Sequence, residues 1–396
     1  MKGVSRVNSG NIAAFFKKYT MVIVLVAVLI LFYYTTNGSI LFPQNINNLI
    51  SQNAYVVVLA VGMLMCILTG GNIDLSVGSV VCFAGAIGGV VMDKHINPWV
   101  AVLIMIAIGI LVGIWHGFWI AYINVPPFIA TLSGMYIFRG LSNVVLQGMT
   151  VTISNESYLK AFGGGADCYI PDFIGSGDGL NITCMLAGGL GVIAFIVITI
   201  MGRINSQKRG YETTPLLGTI VKVGIISAVA MWVTYKLSQY KGIPTALIWI
   251  LIVVLVYGYV TQKTKIGRYH YAVGGNKKAS QLSGINVKNI FFFAYVNMGL
   301  LAALAGILTI ARQSNAQPTF GQGYEMDAIG ACFIGGASAY GGIGTVPGVI
   351  IGALLMGVIN QGMSIMGIDA NYQKVVKGLV LLIAVIFDVM SKKQKK

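Results

Sequence analysis

Three stretches hold residue types capable of chemistry. In "LTGGNIDLSVGS", residues 68 to 79, Asp74 and Ser76 follow a Thr69-Gly70-Gly71-Asn72 break. A carboxylate and a hydroxyl two residues apart at the opening of an apolar run suit one task, accepting hydrogen bonds from the free N–H groups of a helix starting near Leu75. The same break also suits a broken helix whose end lines a solute path. In "GQGYEMDAIGACFIGGASAYGGIGTVPGVIIGAL", residues 321 to 354, Glu325 and Asp327 precede a short apolar piece, and acids favour a helix start. Glycines at 335, 336, 341, 342, 344, 348 and 352 follow. The pairs Gly335–Gly336 and Gly341–Gly342 permit sharp turns. Gly344, Gly348 and Gly352, four apart, form a face for close helix contact. Non-helical backbone at membrane depth is tolerated only inside protein or beside a water-filled cavity, so Gly335, Gly336, Gly341, Gly342 and Gly344 point to a path or a gate, or to close packing.

The third stretch, "TKIGRYHYAVGGNKKASQLSGINVKN", residues 264 to 289, carries Lys265, Arg268, Lys277, Lys278 and Lys288 and no acid. Bond-making chemistry is missing from the rest. No G-x-x-x-x-G-K-[ST] phosphate loop occurs, and no Cys or His residues have metal-ligand spacing. His95, His116 and His270 are scattered, and His116 is expected to hydrogen-bond a neighbouring helix. The chemistry is that of binding and positioning, with no catalytic residues and no cofactor held by this chain.

The elements that position these residues follow from composition. Apolar residues make up 56% of the 396, charged residues 9%, and the mean hydropathy is +0.81. A soluble domain carries about 25% charged residues, so most of this chain faces lipid or other membrane helices. The expected fold is an all-α polytopic membrane protein with Gly-broken helices and about 10–12 crossing or re-entrant segments. Apolar runs lie near 19–36, 50–69, 75–92, 98–123, 127–146, 182–202, 217–235, 243–262, 290–311, 346–366 and 374–391, with a shorter one at 328–339. The first run is read as a span, since no cleavage site closes it.

The net charge of +15 is concentrated in few places. Lys2, Arg6, Lys17 and Lys18 sit in the tail 1–18; Arg203, Lys208 and Arg209 in the 203–216 loop; the basic stretch in the loop 263–289; and "SKKQKK" at the end, the last tail being 392–396. This pattern assigns those segments to the cytoplasm and argues against nucleic acid. The acids Asp93, Glu156, Asp167, Asp172, Asp178, Glu325, Asp327 and Asp369 occupy the alternate connections, which face outward. With both termini inside, the crossings are even in number, and 328–339 completes the last one. The loop 147–181, rich in Gly, Ser, Asn and Asp, reads as irregular and external. Cys168 and Cys184 lie in or near it and are candidates for pairing there. Its two Asn-x-Ser/Thr triplets, at Asn155 and Asn181, are attributed to chance.

Four stretches together carry a family resemblance. "GRYHYAVGGNKKASQLSGINVKN" is similar to the "GRxxYAxGGNxxAAxxSGI" of bacterial ABC sugar-importer permeases. "GNIDLSVGSVV" resembles their "xxIDLSVGS". "YEMDAIGACFIGGASAYGGIGTVPGVIIGAL" resembles their "YELDAIAAxxIGGTSLxGGxGTxxGxxxGAL", and "NYQKVVKGLVLLIAVIFD" their closing motif. The similarity covers nearly the whole chain in family order and looks most like the xylose-type or multiple-monosaccharide subgroup.

The resemblance implies a multi-pass permease of the bacterial inner membrane, paired with a second permease copy. An ABC ATPase subunit that binds ATP and Mg would drive it, and an extracytoplasmic sugar-binding protein would feed it. It makes 264–289 a coupling loop, with Arg268, Gly274, Gly275, Asn276, Lys277, Lys278, Ala279, Leu282, Ser283 and Gly284 as its working residues. Within it, Gly274 and Gly275 are expected to turn the chain, Asn276 to cap a short helix from Lys277, and Gly284 to end it. Glu325 and Asp327 are candidates for contact with the binding protein or for guiding entry. Two other readings compete. One is an ion-coupled sugar transporter using Asp74 and Arg139. The other is a branched-chain amino-acid-type ABC permease.

Overall fold

The computed structural model describes residues 9–175, 179–211 and 216–393. Lys2, Arg6, Asp178, Glu212 and residues 394–396 lie outside them. Of the described residues, 76% are helical. The helices are α1 (Ser9–Thr35), α2 (Pro43–Gln52), α3 (Ala54–Leu68), α4 (Val77–Asp93), α5 (Pro98–Ala121), α6 (Pro127–Leu146), α7 (Glu156–Phe162), α8 (Ile182–Lys208), α9 (Leu216–Ser238), α10 (Thr245–Lys263), α11 (Lys265–Gly275), α12 (Lys277–Leu282), α13 (Val287–Gln313), α14 (Tyr324–Ile334), α15 (Val346–Ile365) and α16 (Ala370–Lys393).

Proline opens several of these helices. Pro43, Pro98 and Pro127 occupy first-turn positions, where a missing N–H costs nothing. Asn97, Asn286 and Thr345 supply side-chain caps. Eight helical segments among the described residues are long and apolar enough to cross a membrane. The apolar parts of α1 and α4 are shorter, and α14 has only 11 residues. The result is a multi-pass all-α membrane protein.

The core is the set α3, α4, α13, α14 and α15. Residues Val56 to Leu68 of α3 are buried on every side, as expected of an all-round apolar helix at the centre of a bundle. Gly348 and Gly352 of α15 lie against the backbone of Gly335 and Ala331, so the small-residue face brings α15 onto α14. Helices α8 and α9 pack on each other and keep most of their apolar surface exposed, the pattern of lipid-facing spans.

One end of the bundle gathers the breaks at 69–76 and 335–345, the 122–126 turn and helices α11 and α12. This is the basic end. The acidic end gathers 93–97, 147–175 and 314–323. There β1 (Val151–Thr152) and β2 (Asn315–Ala316) pair antiparallel, with Val151 opposite Ala316.

One expectation is corrected. The 147–181 loop contains α7, which Asn155 caps by accepting from Tyr158 N–H, while Tyr158 and Phe162 bury one face. Seven residues are too few to show a helical period in sequence. The N-terminal segment is helical from Ser9, ahead of the tail boundary at 18. Helix α8 continues through Arg203 to Lys208, so much of the 203–216 loop is helix. Asn155 and Asn181 are both N-caps, which accounts for their placement without glycosylation. All five cysteines are free, and the Cys184 thiol faces the Thr234 carbonyl.

Candidate functional site

The three stretches singled out by chemistry meet at the basic end. Gly342 N–H donates to the Leu68 carbonyl at 3.1 Å, joining the 335–345 break to the last turn of α3. The Tyr271 hydroxyl of α11 donates to the Gly344 carbonyl at 2.8 Å. Gly274 fills the remaining space: a Cβ there would lie 1.8 Å from the Leu68 oxygen and 2.5 Å from Gly342 N. The two breaks also touch directly, since a Cβ on Gly71 would lie 1.9 Å from the Ala339 oxygen. Backbone runs against backbone in this junction, so only glycine fits.

Gly274 therefore serves close approach. Gly274 and Gly275 were expected to turn the chain, yet both belong to the last turn of α11, and the direction changes at Asn276, φ −157° and ψ 102°. The next helix forms as its residues require. The Asn276 side chain accepts from Ala279 N–H at 3.0 Å, α12 runs from Lys277 to Leu282, and Gly284 at φ +83° closes it. Leu282 is 90% exposed, beside exposed Ala279, Lys278 and Ser283. Lys277 folds back, its ammonium 5.0 Å from the Phe291 ring centre. Arg268 is exposed on α11, and Ser280 is the buried residue of α12. Beneath α11, burial holds His270 below its ordinary value, so the imidazole is neutral; its Nδ1 lies 2.8 Å from the Ile266 carbonyl.

Asp74 and Ser76 sit on the core side of this junction, both buried. Ser76 is the N-cap of α4; its carbonyl accepts from Val80 N–H at 2.9 Å, and its side chain makes no capping bond. Asp74 is the acceptor, receiving Ser76 N–H at 2.8 Å and Ser76 Oγ–H at 2.6 Å. The expected side-chain cap is not formed: Asp74 turns its carboxylate to Ser76, no side chain accepts from the first-turn N–H groups, and α4 begins at Val77, past Leu75. His116 packs against Gly134 of α6, and its Nε2 has no hydrogen-bond partner, contrary to the bonded histidine expected.

At the acidic end Glu325 and Asp327 open α14 as expected, with different surroundings. Asp327 is 1% exposed. Its Oδ1 lies 3.0 Å from Lys377 Nζ of α16, and its Oδ2 accepts from the Tyr55 hydroxyl at 2.7 Å. This carboxylate is occupied inside the protein. Glu325 is half-buried on the same turn. Arg139 donates to the carbonyls of Pro318 and Phe320, holding the 317–323 loop against α4 and α6. Lys377 and Tyr55 were not foreseen. The lysine lies inside the closing motif, where a cation within an apolar helix signals a buried partner.

Residues 45–385 match the family described as branched-chain amino acid transport system / permease component. The chain belongs to this permease family. Among its relatives, the xylose transport system permease protein XylH of Haemophilus influenzae is 35% identical over 377 residues, 95% of this chain and 97% of the relative. XylH of Escherichia coli K12 is 33% identical over 397 residues, 99% of this chain and 95% of the relative. The ribose import permease protein RbsC of Escherichia coli K12 is 35% identical over 351 residues, covering 88% and 86%. No solved structure matches. The matched span takes in the glycine junction, α12 and the Asp327–Lys377 pair.

Proposed function

We propose that the chain is the membrane-spanning subunit of an ATP-binding-cassette importer for xylose or a related pentose or hexose, in a bacterial inner membrane. Its partners are an ABC ATPase that binds Mg-ATP, an extracytoplasmic sugar-binding protein and a second permease copy. Similarity to sugar permeases along nearly the whole chain supports the substrate class.

One observation carries the mechanism: α11 and α12 reach both broken-helix segments through Gly274, Tyr271 and Gly342. Force applied to α12 is transmitted to the 69–76 and 335–345 breaks without an intervening flexible loop. Leu282, Ala279 and Lys278 offer the ATPase an apolar knob beside a cation. Closure of the ATPase dimer shifts α12, the junction follows, and the path lined by Asp74, Ser76 and Gly335–Gly344 opens alternately to each side. The sugar crosses unchanged. Glu325 is the better placed of the two acids to guide entry, since Asp327 is held by Lys377.

Ion coupling loses its candidates, because Asp74 is engaged by Ser76 and Arg139 by two carbonyls. Proteoliposomes containing the chain with its ATPase and binding protein are expected to accumulate D-xylose only with ATP. Leu282→Asp is expected to abolish accumulation with normal membrane insertion. Accumulation without the ATPase, or by Leu282→Asp at the wild-type rate, overturns the reading.

A further inference from the structure

A cavity of about 180 Å³ opens at the acidic end, where α2 meets α3. The interruption is slight: Asn53 keeps a right-handed helical backbone, donating to the Leu49 carbonyl and accepting from Val57 N–H, while its Nδ2 donates to the Ala353 carbonyl of α15 at 2.8 Å. The walls include Tyr55 of α3, Tyr324 of α14, Gln52 of α2, and Thr309, Arg312 and Gln313 of α13. We propose that this cavity is a subsite for a neutral monosaccharide on its way through the chain, an inference that rests on the importer reading above.

The lining has the chemistry a sugar needs. Two aromatic rings offer apolar surface, and two carboxamides with a guanidinium offer mixed donors and acceptors for neighbouring hydroxyls. Arg312 Nε is buried without a hydrogen-bond partner, a donor facing no acceptor of the protein. No carboxylate lines the cavity, which argues against a metal cation, and the single arginine has no second cation beside it to gather a phosphate. The volume is below the about 300–1,000 Å³ of pockets that hold drug-sized ligands, which suits one sugar ring.

The walls are also fixed in place. Tyr55 and Tyr324 stack with ring centres 3.7 Å apart, and the Tyr55 hydroxyl is anchored on Asp327, itself paired with Lys377. Rigid walls where α2 meets α3 hold the polar groups of the cavity in fixed positions.

The test uses the full chain in lipid nanodiscs and, in parallel, in proteoliposomes with the ATPase and the binding protein. Gln52→Met keeps side-chain length, Arg312→Met keeps the unbranched apolar stem, and both remove the polar groups. The expected results are saturation-transfer NMR signals from wild-type chain to D-xylose that vanish in both variants, and maximal uptake reduced by about tenfold or more. Binding-protein-stimulated ATP hydrolysis and the size-exclusion profile are expected to match wild type. Uptake at the wild-type rate in both variants removes the subsite and leaves the importer reading intact. Hydrolysis lost in step with uptake also removes it, by assigning these residues to protein docking. A wild-type chain that moves no monosaccharide removes both.

Discussion

The carboxylate of Asp327 and the ammonium of Lys377 lie 3.0 Å apart, joining the first turn of α14 to α16. At the far end of the same unit, Ala339 N–H donates to the Asp388 carboxylate of α16 at 3.1 Å. Helix α16 thus holds α14 and its trailing loop at both ends. The half-length helix and the glycine break are both tied to α16, and a movement of α16 would be felt at both.

Removing one partner of that pair strands the other. Lys377→Met leaves the Asp327 carboxylate 1% exposed with Tyr55 as its remaining partner. Breaking a buried pair costs about 3–5 kcal/mol, and the 20% exposure of the lysine side chain places the loss toward the lower end. The expected outcome is a marked fall in thermal stability of the detergent-purified protein. Asp327→Asn combined with Lys377→Met is expected to recover most of it, because neither charge is then buried alone. A double variant no more stable than Lys377→Met refutes the pairing as the cause.

Gly274 and Gly275 separate packing from flexibility. A methyl group at 274 meets the Leu68 oxygen at 1.8 Å, whereas one at 275 meets nothing within 4 Å. Gly274→Ala is expected to reduce sugar uptake at least tenfold, because α11 must move off the junction. Gly275→Ala is expected to keep uptake, with α11 slightly stabilised by up to about 1 kcal/mol. Equal loss in both variants would show that chain flexibility, rather than close approach, is what the glycine pair provides.

Much of this was legible in the sequence, for physical reasons. Apolar runs long enough for a bilayer mark spans directly, and the asymmetry of Lys and Arg orients them. Parity asks the short 328–339 run to complete a pass; the structure places it in α14 and the loop that follows. The cap at Asn276 and the stop at Gly284 are local signals and were readable as such. Three features were not. The slight α2–α3 interruption at Asn53 has no glycine or proline, and is held by a bond to Ala353, 300 residues away in sequence. Tyr158 of α7 is specified by a tertiary contact, its hydroxyl donating to the Ile307 carbonyl. The roles of Gly274 and Asp327 depend on which distant backbone or side chain arrives beside them, and no local pattern states that.

Asp172 makes the acid sensitivity of the loop that precedes α8 predictable. Its carboxylate accepts from the Thr183 hydroxyl at 2.7 Å and from the N–H groups of Gly175, Ile182 and Thr183, and these bonds hold it well below the usual carboxylate range. The stabilisation is fully present above the ordinary carboxylate value of about 4. It declines as pH falls below that, and is gone once pH passes the depressed native value. Protease cleavage of the 172–183 segment is expected to rise on acidification from pH 6 toward pH 3. Asp172→Asn is expected to raise cleavage at pH 6 and to flatten its pH dependence. An unchanged pH profile in that variant assigns the sensitivity to another group.

The cap on α12 decides whether the proposed lever is preformed. A helix of six residues has almost no cooperative reserve, so its first turn depends on the bond from Ala279 N–H to Asn276. Replacing an Asn cap with Ala costs about 0.5–2 kcal/mol, whereas Ser or Asp retains most of the bond. With Leu282 projecting from the last turn, fraying at the first disorders the contact surface as a whole. Asn276→Ala is therefore expected to speed amide exchange across 277–282 and to weaken binding of the ATPase several-fold, with sugar uptake falling in proportion. Asn276→Asp should restore both. Faster exchange accompanied by unaltered ATPase binding would mean that the partner folds α12 on contact, and the exposed leucine, rather than the preformed helix, would then be the element it recognises.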